Sequence, residues 1–396
     1  MPWQGRVCPR ALIVDRLSVH ITFAHLAVII AVVRLSSPPC QKVAPTFSRH
    51  VSMVLPIAID GFGGDHAPLC LVQGMSLVLA RVPDLSFMLF GDESVLRPLL
   101  HDTPDLAAVT HIVHTTERIT ACAKPGDAVR MRHASMRLAI DAVKQGTCSA
   151  VVSAGNTGAY LALTKMILKT LKGIARPAIV SQIPHVRGES VFLDLGGNID
   201  CDVRNLVEFG LMGACFARYV LKCNRPRVGL LNVGSESLKG PAYLQKASDI
   251  LSTILSDFYG FVEGNDITRG TVDVVVADGF SGNVALKTAE GVADFFIDSL
   301  KSCLRQSLRG RLGYWMARSA FKVFAAQLDP RRYNGAFWLG VNGIAVKSHG
   351  GTDALGFSYA IEVAADIQRS CLNTQIAQEI EALECVETFK ALRDAS

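Results

Sequence analysis

A chain of 396 residues with 49% hydrophobic and 19% charged side chains carries enough apolar surface for a large core, which excludes an intrinsically disordered protein. Its net charge of +5 is modest for that length and argues against a dedicated nucleic-acid binder, leaving local basic patches as the feature to look for. The cysteines, 11 in all and never spaced Cys-x-x-Cys, read as reduced, mostly buried thiols of a cytoplasmic protein without a zinc or disulfide framework.

Residues 1–52 differ in character from the rest of the chain, with Arg, Pro and Ser around the apolar run Ile21–Val33. Extended to everything between Arg16 and Arg34, the run gives 17 residues including His20 and His25, at the lower limit of a bilayer-crossing helix. A convincing small-residue cleavage site is missing. Residues 1–52 are therefore expected to be a dispensable extension or a mis-assigned start, favoured over a membrane anchor or targeting segment, with one α/β domain over 53–396.

From Val54 onward short β-branched runs alternate with longer segments of helical periodicity. Strands are expected at Ile57–Ile59, Ser86–Phe90, Ala150–Val152, Ser190–Leu193, Arg227–Asn232 and Val272–Val276. The alternation implies a three-layer α/β fold, a mostly parallel sheet with helices on both faces, whose ligands bind beyond the carboxyl ends of the strands.

The loops after those strands are the chemically unusual ones. Asp60-Gly-Phe-Gly-Gly-Asp-His-Ala-Pro68 combines three glycines with Asp60, Asp65 and His66 before a helix that Leu69 begins. Gly63 and Gly64 permit close backbone approach, and exposed N–H groups at the helix start favour an anion; the two carboxylates oppose it and suit a cation or a proton. A plain strand-to-helix turn accounts for the same residues. Ser153-Ala-Gly-Asn-Thr-Gly158 repeats the design, and Ser153, Gly155, Asn156, Thr157 and Gly158 suit phosphate or an oxyanion. No Gly-Lys-Ser/Thr comes after it, so the loop is not a nucleotide-hydrolysing one.

Leu193-Asp-Leu-Gly-Gly-Asn-Ile-Asp200 ends another strand. Asp194, Asn198 and Asp200 would carry polar groups into the same cleft, as positioning groups rather than as a Mg²⁺ site. Farther on, Lys239 and Lys287 lie within a turn or two of the loops Asn232–Gly240 and Asp278–Asn283, where a lysine is either solvated or a phosphate partner.

The segment 295–332 is amphipathic and basic: between Lys301 and Arg332 eight cations face only Asp329. It reads as a membrane-surface or acidic-partner element, or else as a surface helix pair with its apolar face in a core or dimer interface. Finally Lys347, Ser348, His349 and Asp353 leave a strand together around Gly350 and Gly351, a polar setting that favours a functional His349 over a structural one.

These loops together resemble the phosphate acyltransferases of bacterial phospholipid synthesis, which transfer a fatty acyl group from acyl carrier protein to inorganic phosphate. The resemblance runs through Asp60–Pro68, Ser153–Gly158, Arg176-Pro177, Leu193–Asp200, Gly229–Gly240, Asp273–Gly291 and Tyr333–Asp353. The departures are Gly61-Phe62, where the family commonly has Ala-Met, Gly197 for Ala, Gly351-Thr352 for Ser-Ser, and Phe337-Trp338 for smaller apolar residues. The last pair is expected to alter the acyl pocket or the dimer contact. The resemblance implies a fold similar to isocitrate dehydrogenases and phosphotransacetylases and a cytoplasmic, peripherally membrane-associated homodimer. The implied partners are acyl carrier protein, phosphate and a downstream glycerol-3-phosphate acyltransferase, with no cofactor, metal or nucleic acid.

Phosphate, partly dianionic with a second pKa of ~6–7, and a leaving thiol of pKa ~8.5 need little proton-transfer help, so position and charge are what the protein must supply. Glycine-loop N–H groups, Asn156, Asn283, Lys287 and Lys347 are candidates for holding the anions, and His349 or His66 for protonating the thiolate. Two rival readings are a dehydrogenase of related fold, for which no strand-linked Gly-x-Gly-x-x-Gly is present, and a noncatalytic membrane scaffold built on the basic segment.

Overall fold

The computed structural model describes residues 55–327, 329–383 and 385–394. The expected extension 1–52 and its apolar run lie outside the described residues.

The elements, in chain order, are β1 (Ile57–Asp60), α1 (Leu69–Arg81), β2 (Phe87–Gly91), α2 (Glu93–His101), α3 (Pro104–Ala108), β3 (Thr110–His114), α4 (Pro125–Arg130), α5 (Ser135–Lys144), β4 (Ala150–Ser153), α6 (Thr157–Leu168), β5 (Ala178–His185), β6 (Gly188–Leu193), α7 (Val203–Tyr219), β7 (Val228–Leu231), α8 (Ala242–Ile254), β8 (Phe258–Val262), α9 (Gly264–Arg269), β9 (Val274–Val276), α10 (Gly279–Arg305), α11 (Leu308–Met316), α12 (Arg318–Gln327), a 3-10 turn (Pro330–Tyr333), β10 (Ala336–Leu339), β11 (Ile344–Lys347), α13 (Ala354–Ser370), α14 (Leu372–Leu383) and α15 (Glu387–Asp394). The strands form one 11-stranded sheet in the order β3-β2-β1-β4-β11-β10-β5-β6-β9-β7-β8.

Strand alternation decides which side chains meet which layer. Ile57 and Ile59 of β1 face one way, into the cluster that holds Leu71, Met75, Phe209, Phe357 and Ile361 of α1, α7 and α13. Ala58 faces the other way, with Met136, Ile140, Tyr160 and Leu163 of α5 and α6. The sheet is thus buried on both faces, which is why its strands read as continuous apolar runs.

The predominance of parallel pairing is as expected, but the sheet is not one parallel array. β1, β2, β3, β4 and β11 run together. Direction then reverses at β11/β10, β10/β5 and β5/β6, after which β6, β9, β7 and β8 run together the opposite way. The carboxyl ends of the two halves therefore point in opposite directions. This corrects the expectation of one shared cleft. Across β10 and β5 the register sets Leu193 level with Val346, so the carboxyl end of β6 stands three strand spacings, roughly 14 Å, to the side of that of β11.

The basic segment forms α10 to α12. Only Gly279 and Gly282 are buried on α10, and nothing is buried on α11. Phe295, Leu308, Trp315 and Met316 stand 70% exposed or more, so the apolar face of this arm is not in the core of its own chain. Among the described residues no helix is long and apolar enough to cross a membrane.

Candidate active site

Asp60, Ser153 and Lys347 end three adjacent strands in register: Ile59 pairs with Val152 and Lys347 with Ser153. They share parity with Ala58, Val151 and Ala345, so all three turn toward the α5–α6 layer. There Asp60, fully buried, accepts the Ser135 hydroxyl at 2.6 Å on one oxygen and the Ser153 hydroxyl at 2.7 Å on the other. Burial pushes its pKa up, opposed by those two hydroxyls and by Lys347. Burial likewise drives the Lys347 ammonium down to about 8, against the attraction of Asp60 and Asp65. Lys347 is thus a cation whose charge is lost just above neutral pH, and its amino group donates to the Ser348 carbonyl.

The glycine loops interlock over this cluster. A Cβ on Gly63 would lie 2.7 Å from the Gly155 nitrogen and 2.8 Å from an Asp60 oxygen, so only glycine lets the first loop close on the second. Asp65 N–H donates to the Gly350 carbonyl at 2.9 Å, and Ser348 N–H to the Ser153 carbonyl at 2.9 Å. Asn156 caps α6 by accepting from Ala159 N–H, while its Nδ2 donates to the Ala121 and Ala123 carbonyls. That corrects its assignment as an anion ligand, because its amide is already committed on both ends. What α6 does offer is the N–H groups of Thr157 and Gly158, exposed at the positive end of a 12-residue helix and without a partner among the described residues.

His349 is exposed on the loop leaving β11. Its Nδ1 accepts from the Gly351 N–H at 3.2 Å, which assigns the proton of the neutral ring to Nε2. His66 is exposed as well, on the loop that Asp65 ties to Gly350.

The remaining candidates stand at the carboxyl ends of the other half of the sheet. Asp194 accepts from the N–H groups of Ile179, Gly197 and Asn198 and from Asn198 Nδ2, whose other acceptor is the Pro177 carbonyl. Burial raises the Asp194 pKa and these donors pull it back. Asn198 is thereby a lock on a turn, not a ligand, and Asp200 contributes a carbonyl to Arg176. Asn283 lies beside Gly196 of that turn, Lys287 pairs with Glu290 at 2.7 Å, and Lys239 faces Glu236 at 3.8 Å. Phe337 and Trp338 are core residues: a Cβ on Gly197 would meet the Trp338 ring at 2.6 Å. Two sequence departures are therefore one packing event. A depression lined by Glu93, Arg97, Pro98, His101 and His114 lies at the carboxyl ends of the outer strands β2 and β3, on the same edge as the Asp60 cluster but to one side of it.

Ser135 and Asn334 are site residues that the sequence did not single out. A serine opening a helix reads as a cap, and an asparagine before Gly335 reads as a turn.

The three-layer sheet with opposed halves is the fold of the phosphotransacetylases. The EutD phosphotransacetylase of Staphylococcus aureus superposes with a TM-score of 0.52 at 12% identity over 80% of this chain and 94% of its own. A phosphotransacetylase from Streptococcus pyogenes gives 0.51 at 17% identity over 83% and 95%. In sequence, the model of the family described as "Fatty acid synthesis protein" matches residues 55–375. The phosphate acyltransferase of Rhodospirillum centenum is 51% identical over 343 residues, 86% of this chain and 97% of its own. That of Rhodospirillum rubrum is 52% identical over 348 residues, 87% and 100% of the two chains. The chain belongs to this fatty acid synthesis family of phosphate acyltransferases, and it is an acyltransferase of lipid biosynthesis.

Proposed function

We propose that the enzyme transfers a long-chain acyl group from acyl carrier protein to inorganic phosphate, forming acyl phosphate and the free carrier thiol. The observation that carries the reading is the presence, at one sheet edge, of Lys347, of the Thr157 and Gly158 N–H groups, which have no partner among the described residues, and of the exposed His349. A phosphate oxygen attacks the thioester carbonyl carbon, the carbonyl becomes an oxyanion, and the C–S bond breaks as the carbonyl reforms. Lys347 and the α6 N–H groups hold the phosphate and the oxyanion together, and His349 supplies a proton to the departing thiolate, with His66 the alternative donor. Asp60, held by the Ser135 and Ser153 hydroxyls, and Asp65 support the charge of Lys347 against burial.

Direct transfer suits the thiols present. Burial pushes Cys148 up to about 11 and Cys201 and Cys215 up to about 12, so these are poor nucleophiles. In this reading the enzyme is a cytoplasmic homodimer that meets the membrane through the exposed apolar face of α10 to α12 and passes acyl phosphate to a glycerol-3-phosphate acyltransferase.

The test is to supply purified protein with palmitoyl-acyl carrier protein and excess phosphate. Free thiol and acyl phosphate should appear in equal amounts. Release of neither, or an acyl group accumulating on the enzyme before phosphate is added, for instance on the exposed Cys122, would contradict the reading.

A further inference from the structure

Between the arm and β10 the chain passes through Asn334, whose side chain reaches the loop that carries His349. Asn334 Oδ1 accepts the His349 backbone N–H at 2.9 Å, while Nδ2 donates to the Ser348 hydroxyl at 2.8 Å and to the Thr352 hydroxyl at 3.0 Å. The amide orientation is set by its partners, since only oxygen can face the N–H. The next residue fixes the approach: Gly335 has φ +126, and a Cβ there would lie 3.1 Å from Ala360 Cα of α13. Arg331 adds a second tether, pairing with Asp329 at 2.7 Å and Asp353 at 2.8 Å, while Asp353 caps α13 through the Gly356 N–H.

The loop needs such a restraint. Gly350 and Gly351 contribute no side-chain stiffness, and His349 is exposed, so packing does not hold the ring. Its ring nitrogen is held by Gly351 N–H, which belongs to the same glycine-rich stretch and fixes the ring only relative to its own loop. The hydrogen bonds from Asn334 tie that loop to another part of the chain.

We infer that Asn334 is a positioning residue for His349, holding Ser348–Thr352 so that the imidazole points at the reacting thioester. The inference rests on the role given to His349 above. It assigns Asn334 no contact with substrate. Misplacement by about 1 Å is enough to cost on the order of 10²-fold in rate.

The experiment is a double-mutant cycle on kcat, with KM for phosphate and the melting temperature measured in parallel. Asn334→Ala should lower kcat by roughly 10- to 100-fold and leave KM for phosphate within about twofold. In a His349→Ala background the same substitution should change kcat by less than about twofold, because there is no ring left to aim. Asn334→Asp should recover most of kcat, since a carboxylate still accepts from His349 N–H and lets the two hydroxyls donate. Equal losses with and without His349 would overturn the inference while leaving the acyl transfer reading intact. A full-rate His349→Ala enzyme would instead overturn the reading it rests on. If Asn334→Ala does not fold, Asn334→Leu, similar in volume and without hydrogen bonds, takes its place. Loss of the fold in both would make Asn334 structural and overturn the inference.

Discussion

The loops after β4 and β6 are written in the same sequence style, a buried apolar strand ending in glycines, an asparagine and carboxylate or hydroxyl groups. At the β4 edge, Asp60, Ser153 and Lys347 form a charged floor, while Thr157 and Gly158 keep N–H groups without partners among the described residues. At the β6 edge, Asp194 gathers four donors, Asn198 Nδ2 donates to both Asp194 and the Pro177 carbonyl, and Gly279 N–H donates to the Asn198 carbonyl. A glycine-rich strand end becomes a ligand site when its donors are left over, and a structural knot when they are consumed. Which of the two it becomes is settled by tertiary partners rather than by the motif.

The strongest way to separate the two edges is at His349. His349→Ala should lower kcat by about 10²-fold or more with the melting temperature nearly unchanged, since the ring is exposed; steady-state kinetics and thermal unfolding of the same preparation check it. The mirror experiment is Asn198→Ala. It should cost about 1–3 kcal/mol of stability, by leaving the buried Pro177 carbonyl without its donor, with kcat per folded molecule retained. A large kcat loss there without destabilisation would erase the distinction.

A third measurement uses Lys347. Its pKa is lowered to about 8 by burial, so the amine is charged below that pH and neutral above it. KM for phosphate should therefore rise as pH climbs through about 8, approaching tenfold per unit beyond it if the charge is required. Lys347→Arg, which keeps its charge, should flatten that rise. A flat profile in the wild-type enzyme would remove Lys347 from phosphate binding.

The smallest effect is expected in the core beneath the β6 edge. Gly197→Ala should destabilise by about 1–3 kcal/mol because the new methyl meets the Trp338 ring, and adding Trp338→Leu should give back part of that loss. Strict additivity of the two changes would mean that the pair is not coupled.

Much of this was legible in the sequence. The β-branched runs located β1, β2, β4, β6, β7 and β9, and strand parity explains why Asp60, Ser153 and Lys347 share a face. What stayed hidden was the reversal of direction. The β5–β6 hairpin turns through Val186-Arg187 with Gly188 at φ +141, not through the Asn-Gly or Asp-Gly pair that announces a hairpin. β5 carries Pro184 and β8 carries Gly260, both of which weaken a strand signal. Without the reversal, Asn198 and Lys287 read as neighbours of His349. Ser135 and Asn334 were hidden for another reason: each is a single polar residue whose meaning comes from a partner brought by the fold, Asp60 for one and the Ser348–Thr352 loop for the other.

The central claim is that phosphate is received at the β1–β4–β11 edge. A crystal structure with inorganic phosphate soaked in tests it most directly. The anion is predicted on the N–H groups of Thr157 and Gly158 within reach of Lys347, with the Asp194–Asn198 turn empty. Phosphate bound on that turn, with the His349 edge unoccupied, would contradict it.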